Sequence, residues 1–216
     1  MSFRIILADD HPLILTGLRS IIDKSKTIGE VIAEAHSVSE LFICLEKHTC
    51  NLLITDLIMP SDDSNDGLIM FQRLRRIYPN LPIIVLTQIQ NRAILRSLIK
   101  AGVNGLILKK SLSNELNDAI RQVSSGKIYI GTSIKSILFD EESSGKSNMD
   151  SNTPILSAKE SEVIRLLASG MSVTQVANHL HRSIKTISTQ KKNAMIKLDI
   201  TSDSALFEYA KMSGLC

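Results

Sequence analysis

The sequence predicts an α/β fold for residues 1–125 and a small all-α domain for residues 154–216. In the first part, five short runs rich in Ile, Val and Leu alternate with segments of helical spacing, which is typical of a doubly wound parallel sheet. After residue 153 the strand-like runs stop and only helical patterns follow. Between the two parts, DEESSGKSNMDSNT (140–153) holds almost no apolar residue, so we interpret 126–153 as a linker.

Five predicted strands make up the sheet. Strands that are buried on both faces are nearly continuous apolar runs, without the alternation of a half-exposed strand. The five runs are, in order, FRIILA (3–8), EVIAEA (30–35), NLLIT (51–55), LPIIVLT (81–87) and GLILK (105–109).

Predicted helices lie between these strands. Their apolar residues recur three and four positions apart, so each set faces one side of a helix. The four sets are Ile14, Leu18, Ile21 and Ile22; Phe71, Leu74 and Ile77; Leu95, Leu98 and Ile99; and Leu116, Ala119, Ile120 and Val123.

The C-terminal domain is predicted to contain four short helices. A capping box, Ser157 with Glu160 three residues later, predicts the start of the first helix, and Gly170 predicts its end. Ser and Thr residues, which cap helix N-termini, mark the later starts. The remaining helices are predicted to begin at Ser172 or Thr174, at Ser183 and at about residue 202, and the last two to end at about 198 and 212.

Composition and charge exclude several classes of protein. No apolar run approaches the about 18 residues of a membrane span. The three cysteines form no CxxC pair, which argues against a zinc site or a disulfide framework and favours the reducing cytoplasm. Residues 151–216 hold eight Lys and Arg against five Asp and Glu, and the chain as a whole carries a net charge of +3. The excess positive charge therefore lies entirely in this part, which predicts a polyanionic partner for it.

Polar and charged residues stand at four of the predicted strand ends. Asp9 and Asp10 follow the first strand, Asp56 follows the third, Thr87 ends the fourth and Lys109 ends the fifth. Because the carboxyl ends of parallel strands meet at one edge, these side chains are expected to converge. Three carboxylates would repel one another unless they held a hard cation, so Mg²⁺ is the expected ligand.

Such a pocket is suited to forming an aspartyl phosphate. A carboxylate oxygen can attack phosphorus, while a lysine and a hydroxyl stabilise the charged phosphoryl oxygens. Each residue also has an ordinary interpretation, with Asp10 as a helix cap and Lys109 as a solvated strand tip. The prediction therefore depends on the joint pattern.

That joint pattern resembles the receiver domain of two-component response regulators, which has a flavodoxin-like or CheY-like fold. The matching residues are Asp9–Asp10, Asp56 in TDLIMP, Thr87 in VLTQ and Lys109 in LILKK. The resemblance covers residues 1–125 and is specific, because several separated motifs agree in order and spacing.

The resemblance implies a role for each of these residues. Asp56 is expected to accept a phosphoryl group from a sensor histidine kinase or a phosphotransfer protein, and Thr87 and Lys109 are expected to contact that group. The implied Mg²⁺ ligands are Asp9, Asp10, Asp56 and the main-chain carbonyl of Ile58.

Two departures leave alternatives open. Many receivers carry a Tyr or Phe three residues before the lysine, and here that residue is Leu106. This favours, as an alternative, a regulator that acts without phosphorylation as a heterodimer with another family member. Asp-dependent phosphatases usually carry a second Asp two residues after the nucleophile, and here that residue is Ile58. We therefore expect phosphorylation of Asp56 only, and no turnover enzyme.

The third predicted C-terminal helix, IKTISTQKKNAMIKL, carries a polar stripe. Lys185, Ser188, Thr189 and Lys192 are spaced i, i+3, i+4 and i+7, and the helix contains no acidic residue. Lysines can neutralise DNA phosphates while hydroxyl groups reach base edges. A plain amphipathic helix in a four-helix bundle is the alternative.

The segment from Leu156 to Leu198 resembles the helix-turn-helix domain of the LuxR/NarL/FixJ family. The residues that carry this resemblance are Leu156, Ser157, Glu160, Val163, Gly170, Ala177, Leu180, Lys185, Thr186, Lys192 and Leu198. It implies that Ser188, Thr189 and Lys192 face bases and that Lys185 and Lys191 lie near phosphates. Within the family, RSIKTISTQKKNAMIKL and LITDLIMP are most similar to the RcsB type.

Together the two resemblances imply a cytoplasmic transcriptional regulator that binds double-stranded DNA. Helix-turn-helix modules of this kind bind paired half-sites as dimers, so a homodimer or a heterodimer with another LuxR-type regulator is expected. No membrane partner is expected. The predicted dimer contact is the last helix, and packing inside the monomer is the alternative; the residues concerned are Ala205, Leu206, Tyr209 and Ala210.

Overall fold

The computed structural model describes residues 3–25, 29–60, 67–139 and 156–215. The chain divides into two compact units, which are described in turn: one comprises 1–90 and 95–140, the other 91–94 and 141–216. Among the described residues, no helix is both long enough and apolar enough to cross a membrane.

The first unit is a doubly wound sheet of parallel strands, as predicted. The strand order is β2-β1-β3-β4-β5-β6, and every adjacent pair is parallel. The interior strands β1, β3, β4 and β5 consist mainly of buried Ile, Leu and Val, which explains their continuous apolar runs. The bounds are β1 Phe3–Ala8, β2 Gly29–Ala35, β3 Leu52–Asp56, β4 Ile83–Thr87, β5 Gly105–Leu108 and β6 Tyr129–Ile130.

Helices connect successive strands of the first unit, and the last helix follows β6; residues 92–94, at the start of the fourth helix, are grouped with the second unit. The helix between β2 and β3 has no counterpart among the predicted apolar sets, because its run of consecutive apolar residues masks the helical period. A 3₁₀ turn, Lys109–Ser111, follows β5. The bounds are α1 Pro12–Lys24, α2 Val38–Lys47, α3 Gly67–Ile77, α4 Arg92–Lys100, α5 Leu112–Ser124 and α6 Thr132–Phe139.

The prediction of five strands was wrong by one, because β6 forms within the segment interpreted as a linker. Tyr129 and Ile130 pair with Gly105 and Leu106 of β5, and the Gly131 N–H donates to the Leu106 carbonyl at 2.8 Å. α6 then buries Ile134 completely. The linker boundaries 126–153 stay a prediction, since residues 140–155 lie outside the described part of the chain.

The second unit is all-α and contains the four predicted helices. Ser157 and Glu160 form the predicted capping box of the first helix, and Gly170 beyond its end has φ of 94°, a left-handed conformation that favours glycine. Ser172, and not Thr174, caps the second helix. The bounds are α7 Ala158–Ala168, α8 Val173–His179, α9 Ile184–Leu198 and α10 Asp203–Met212.

An apolar core joins these four helices. Its fully buried members include Val163 of α7, Val176 of α8 and Ile187 of α9. Leu206 and Ala210 of α10 are also fully buried, so packing inside the monomer accounts for these two residues of the predicted dimer contact.

Candidate functional site

The strand order brings the predicted acid pocket together at one edge of the sheet. β1, β3, β4 and β5 are consecutive neighbours, and their carboxyl ends point the same way. Asp9 directly follows β1, Asp56 and Thr87 are the last residues of β3 and β4, and Lys109 directly follows β5. Residues that are up to a hundred positions apart in sequence therefore share one site.

Lys109 bridges two carboxylates in this pocket. Its Nζ lies 2.7 Å from Asp9 Oδ2 and 2.7 Å from Asp56 Oδ2. All three side chains are buried, with exposed fractions of 5% for Lys109, 0% for Asp9 and 8% for Asp56. The second Asp56 oxygen, Oδ1, accepts a hydrogen bond from the Leu57 N–H at 2.6 Å. One ammonium group thus compensates two buried acids.

Burial and charge shift the protonation equilibria of this pair. Burial raises the pKa of the Asp56 carboxyl; the hydrogen bond and charge of Lys109 oppose the rise, and the charge of Asp9 adds to it. Burial lowers the pKa of the Lys109 ammonium, but the hydrogen bonds and charges of Asp56 and Asp9 outweigh burial and raise it. The charged form of Lys109 is therefore favoured, while the ionised form of Asp56 is disfavoured by burial.

The donor set of the pocket fits a divalent cation. Ligand atoms of Asp9, Asp10, His11 and Asp56 all lie within 4.8 Å of one another. Within the described part of the chain, the buried oxygens Asp9 Oδ2 and Asp10 Oδ1 each lie 2.7 Å from one nitrogen, of Lys109 and His11 respectively, and have no further hydrogen-bond partner. Carboxylate oxygens with unused lone pairs suit Mg²⁺.

His11 is a member of this cluster that the sequence analysis did not single out. Its ring Nδ1 lies 2.7 Å from Asp10 Oδ1 and 3.2 Å from Asp9 Oδ1. Its main-chain N–H donates to Asp9 Oδ1 at 3.0 Å. The signal available in the sequence was its position directly after the acid pair and before Pro12, at the start of a helix.

Thr87 and Leu106 belong to the adjacent strands β4 and β5. Thr87 is 1% exposed, and its hydroxyl oxygen accepts a hydrogen bond from the Ile89 N–H at 3.0 Å. The hydroxyl hydrogen is therefore still available to donate. Leu106 stands at the position where many receivers have an aromatic residue. It lies on β5, which pairs with β4 and β6, and its side chain is completely buried. Ile58 is 43% exposed, and its N–H lowers the pKa of Asp56.

The second candidate site is α9 of the C-terminal unit. Ser183 caps this helix by accepting a hydrogen bond from the Thr186 N–H. One face packs into the core through Ile187, Ala194 and Leu198. The predicted stripe lies on another face and is exposed at all four positions: Lys185, Ser188, Thr189 and Lys192. The structure therefore places these four residues together as predicted.

Lys191 is placed differently from the stripe. Its side chain is 20% exposed and its Nζ lies 2.7 Å from Asp203 Oδ2, in the first turn of α10. The hydroxyl of Thr189 also has a partner, since it donates to the Lys185 carbonyl at 2.9 Å. The sequence alone did not point to Asp203, because nothing in the local pattern links it to Lys191, which lies twelve residues earlier.

Comparison with known proteins matches a family to each of the two parts of the chain. The family described as response regulator receiver domain matches residues 5–121, and the luxR family of bacterial regulatory proteins matches residues 154–210. The chain is 39% identical over 208 residues to the transcriptional regulatory protein RcsB of Escherichia coli strain K12, covering 96% of this chain and 94% of that protein.

Solved structures of RcsB are also similar. One is RcsB from Salmonella enterica serovar Typhimurium bound to a promoter in the presence of the phosphomimetic BeF3-, with a TM-score of 0.86, 38% identity, and coverage of 99% of this chain and 100% of that one. Another contains two RcsB dimers bound to two parallel DNAs, with a TM-score of 0.81, 37% identity, and coverage of 98% and 99%.

Proposed function

We propose a specific switch for this chain from one premise: it belongs to the response regulators, with a receiver domain and a LuxR-type DNA-binding domain of the RcsB-like kind. In this switch, phosphorylation of Asp56 shifts the receiver and thereby controls dimerisation and promoter binding. The observation that carries the proposal is the buried Asp9–Lys109–Asp56 contact at the carboxyl edge of the sheet.

The pocket supports phosphoryl transfer to Asp56. A carboxylate oxygen of Asp56 forms the new bond to phosphorus as the bond to the donor's leaving group breaks. The Lys109 ammonium, already 2.7 Å from Asp56, is placed to pair with a phosphoryl oxygen, and the Thr87 hydroxyl hydrogen can donate to another. The transfer leaves the phosphoryl group on Asp56 and does not restore the free carboxylate. We therefore propose phosphorylation without rapid turnover.

Mg²⁺ is the cofactor that the donor set fits. Asp9, Asp10, Asp56 and the carbonyl of Ile58 would hold it, and His11 stands beside them. When bound, the ion neutralises negative charge on the carboxylates and on the incoming phosphoryl group. The chain's own contribution is to bury Asp9 Oδ2 and Asp10 Oδ1 and to leave lone pairs on both oxygens unused.

The C-terminal unit is proposed to bind double-stranded DNA through α9. Ser188, Thr189 and Lys192 would contact base edges, and Lys185 and Lys191 would contact phosphates. Exposure of the four-residue stripe and the absence of acids from α9 support this assignment. Dimers on DNA are known for the similar RcsB structures, and we propose a homodimer or a heterodimer for this chain. A DNA partner and sparse cysteines favour the cytoplasm.

Leu106 favours a second mode of control. With an aliphatic side chain completely buried at this position, no aromatic ring is available to move when Thr87 engages the phosphoryl group. Pairing with another LuxR-type regulator would then change DNA affinity without phosphorylation. In that case Asp56→Ala would leave DNA affinity unaltered, while addition of the partner would change it.

The phosphorylation site is tested with acetyl phosphate and Mg²⁺. Intact-mass spectrometry should show one added phosphoryl group on the wild-type chain and none on Asp56→Ala. Asp118→Asn is the matched control, because it removes an acid that is 65% exposed on the same unit, and it should be modified like the wild type. Equal modification of Asp56→Ala and wild type would reject the site.

The DNA-binding half is tested separately. Duplexes selected from a random pool by the full chain should share a sequence, and phosphorylation should raise the affinity for it. Failure to enrich any duplex, with or without acetyl phosphate, would reject a DNA-binding role for this chain.

A further inference from the structure

Most of the basic residues around α9 are already paired with acids of the same unit. Between residues 182 and 197 there are five Lys and Arg residues. Arg182 lies 3.5 Å from Glu162 and Lys197 lies 2.7 Å from Glu160. Within the described part of the chain, the two that make no ion pair are Lys185 and Lys192, which are both exposed on the predicted stripe.

Among the three lysines proposed to contact DNA, Lys191 is the one that makes an ion pair within the described part of the chain. Its Nζ lies 2.7 Å from Asp203 Oδ2, and the lysine side chain is 20% exposed while the aspartate is 56% exposed. Asp203 is fixed at the start of α10, where Ser202 caps the helix by accepting a hydrogen bond from the Ala205 N–H. The carboxylate thus belongs to the first turn of a capped helix and lies beside α9.

We propose that Asp203 competes with the DNA backbone for Lys191. The inference rests on the proposed DNA binding by α9 and goes beyond it, because it adds a residue that makes no DNA contact. The Asp203 carboxylate occupies the ammonium group as a DNA phosphate would. Ion pairs this exposed are weak and exchange readily, so a correctly placed phosphate can displace Asp203.

The consequence is a lower affinity for unrelated DNA. Each phosphate that a lysine neutralises contributes about 0.9 to the slope of log affinity against log salt concentration. With Lys191 occupied, a protomer gains this contribution only by giving up the pair with Asp203. Non-specific binding then depends mainly on Lys185 and Lys192, and the discrimination between a preferred site and other DNA increases.

The experiment is a double-mutant cycle on the full chain. Wild type, Lys191→Ala, Asp203→Asn and the double variant are titrated against a labelled duplex of unrelated sequence at several KCl concentrations, with fluorescence anisotropy as the readout. We expect Asp203→Asn to steepen the salt slope by about 0.9 per protomer. Lys191→Ala should have little effect in the wild type and should cancel the gain in Asp203→Asn.

Two further variants separate the explanations. Asp203→Glu keeps the charge and should behave like the wild type. Asp203→Ser provides a second uncharged variant if Asp203→Asn melts at a lower temperature, because loss of the carboxylate should steepen the salt slope with either side chain.

An unchanged slope in Asp203→Asn, or a gain that persists without Lys191, overturns the inference. In either case the proposed function stands as long as Lys185→Ala and Lys192→Ala weaken binding. If those two variants bind like the wild type, the placement of α9 on DNA fails, and this inference fails with it.

Discussion

Two contacts between a lysine and a buried carboxylate, one in each unit, have the same length, but the pKa values of the two carboxyl groups are shifted in opposite directions. Lys109 lies 2.7 Å from Asp56, and Lys197 lies 2.7 Å from Glu160. In the first contact the pKa of Asp56 is raised, chiefly by burial. In the second, hydrogen bonds from Lys197 and Ser157 hold the pKa of Glu160 below its ordinary value. The distance between the charged atoms therefore does not reveal the role.

The number of donors per carboxylate explains the difference. Glu160 Oε2 accepts from the Ser157 N–H, the Ser157 hydroxyl and the Lys197 ammonium. Asp56 shares its lysine with Asp9, whose charge opposes its ionisation. One pair is a satisfied structural contact and the other is a strained pocket with unused acceptor capacity. The pocket of Asp56, where chemistry is expected, is therefore less favourable for stability than the contact of Glu160, which has only a structural role.

The largest effect is expected when the satisfied pair is broken. Lys197→Met leaves the Glu160 carboxylate buried without its cation and should destabilise the C-terminal unit by about 3 kcal/mol. Urea dependence of hydrogen exchange in peptides from α7 and α9 measures this locally. Lys211→Met, at an exposed lysine of α10, is the control and should change little. Equal stability of the two variants would contradict the comparison.

A lysine without an internal acid should instead contribute to ligand binding. Lys192→Ala should weaken binding to the preferred duplex by about 1–3 kcal/mol and leave folding unaffected. Anisotropy titrations at one fixed salt concentration measure the affinity, and a thermal melt provides the control. A variant with a lower melting temperature and unchanged DNA affinity would show that Lys192 contributes to stability and not to DNA binding.

The strained pocket should become more stable when one acid is neutralised. A raised pKa means that the ionised Asp56 disfavours folding at any pH above its unfolded value, so Asp56→Asn should stabilise the first unit by about 1 kcal/mol. Added Mg²⁺ should stabilise the wild type more than this variant. Thermal melts with and without MgCl₂ test both statements, and a less stable Asp56→Asn would show that the pocket is not strained.

The smallest effect concerns acid sensitivity. The pKa of Glu160 is lowered, so its contribution to stability is fully present above its unfolded pKa of about 4.3 and is lost as the pH falls through the folded value. Glu160→Gln should flatten the pH dependence of unfolding of the C-terminal unit in this range. Glu162, which is 40% exposed on the same helix, provides Glu162→Gln as the matched variant for comparison.

The sequence was sufficient for features that depend on local chemistry. The buried strands follow from their apolar runs, and the starts of α7 and α9 follow from Ser157 and Ser183. Convergence of Asp9, Asp56 and Lys109 follows from the rule that parallel strands end at one edge. Family membership was predicted from these motifs and is confirmed by comparison.

Features that depend on tertiary distances could not be predicted. The partner of Lys191 is set by where α10 starts relative to α9, and the place of His11 is set by a turn of three residues after β1. β6 was missed because two residues cannot show a period, and α2 because its apolar residues are consecutive. In each case, packing and not local pattern decides the outcome.

The short β6 has one more consequence, which concerns aggregation. A sheet whose outer strand is bare offers its peptide groups to any other chain, and extended edges invite such growth. Here Tyr129 and Ile130 occupy half of the outward side of β5, and the chain then turns at Gly131 into a helix. Two residues are too few to template another strand, so β6 offers only a short edge for pairing with another chain.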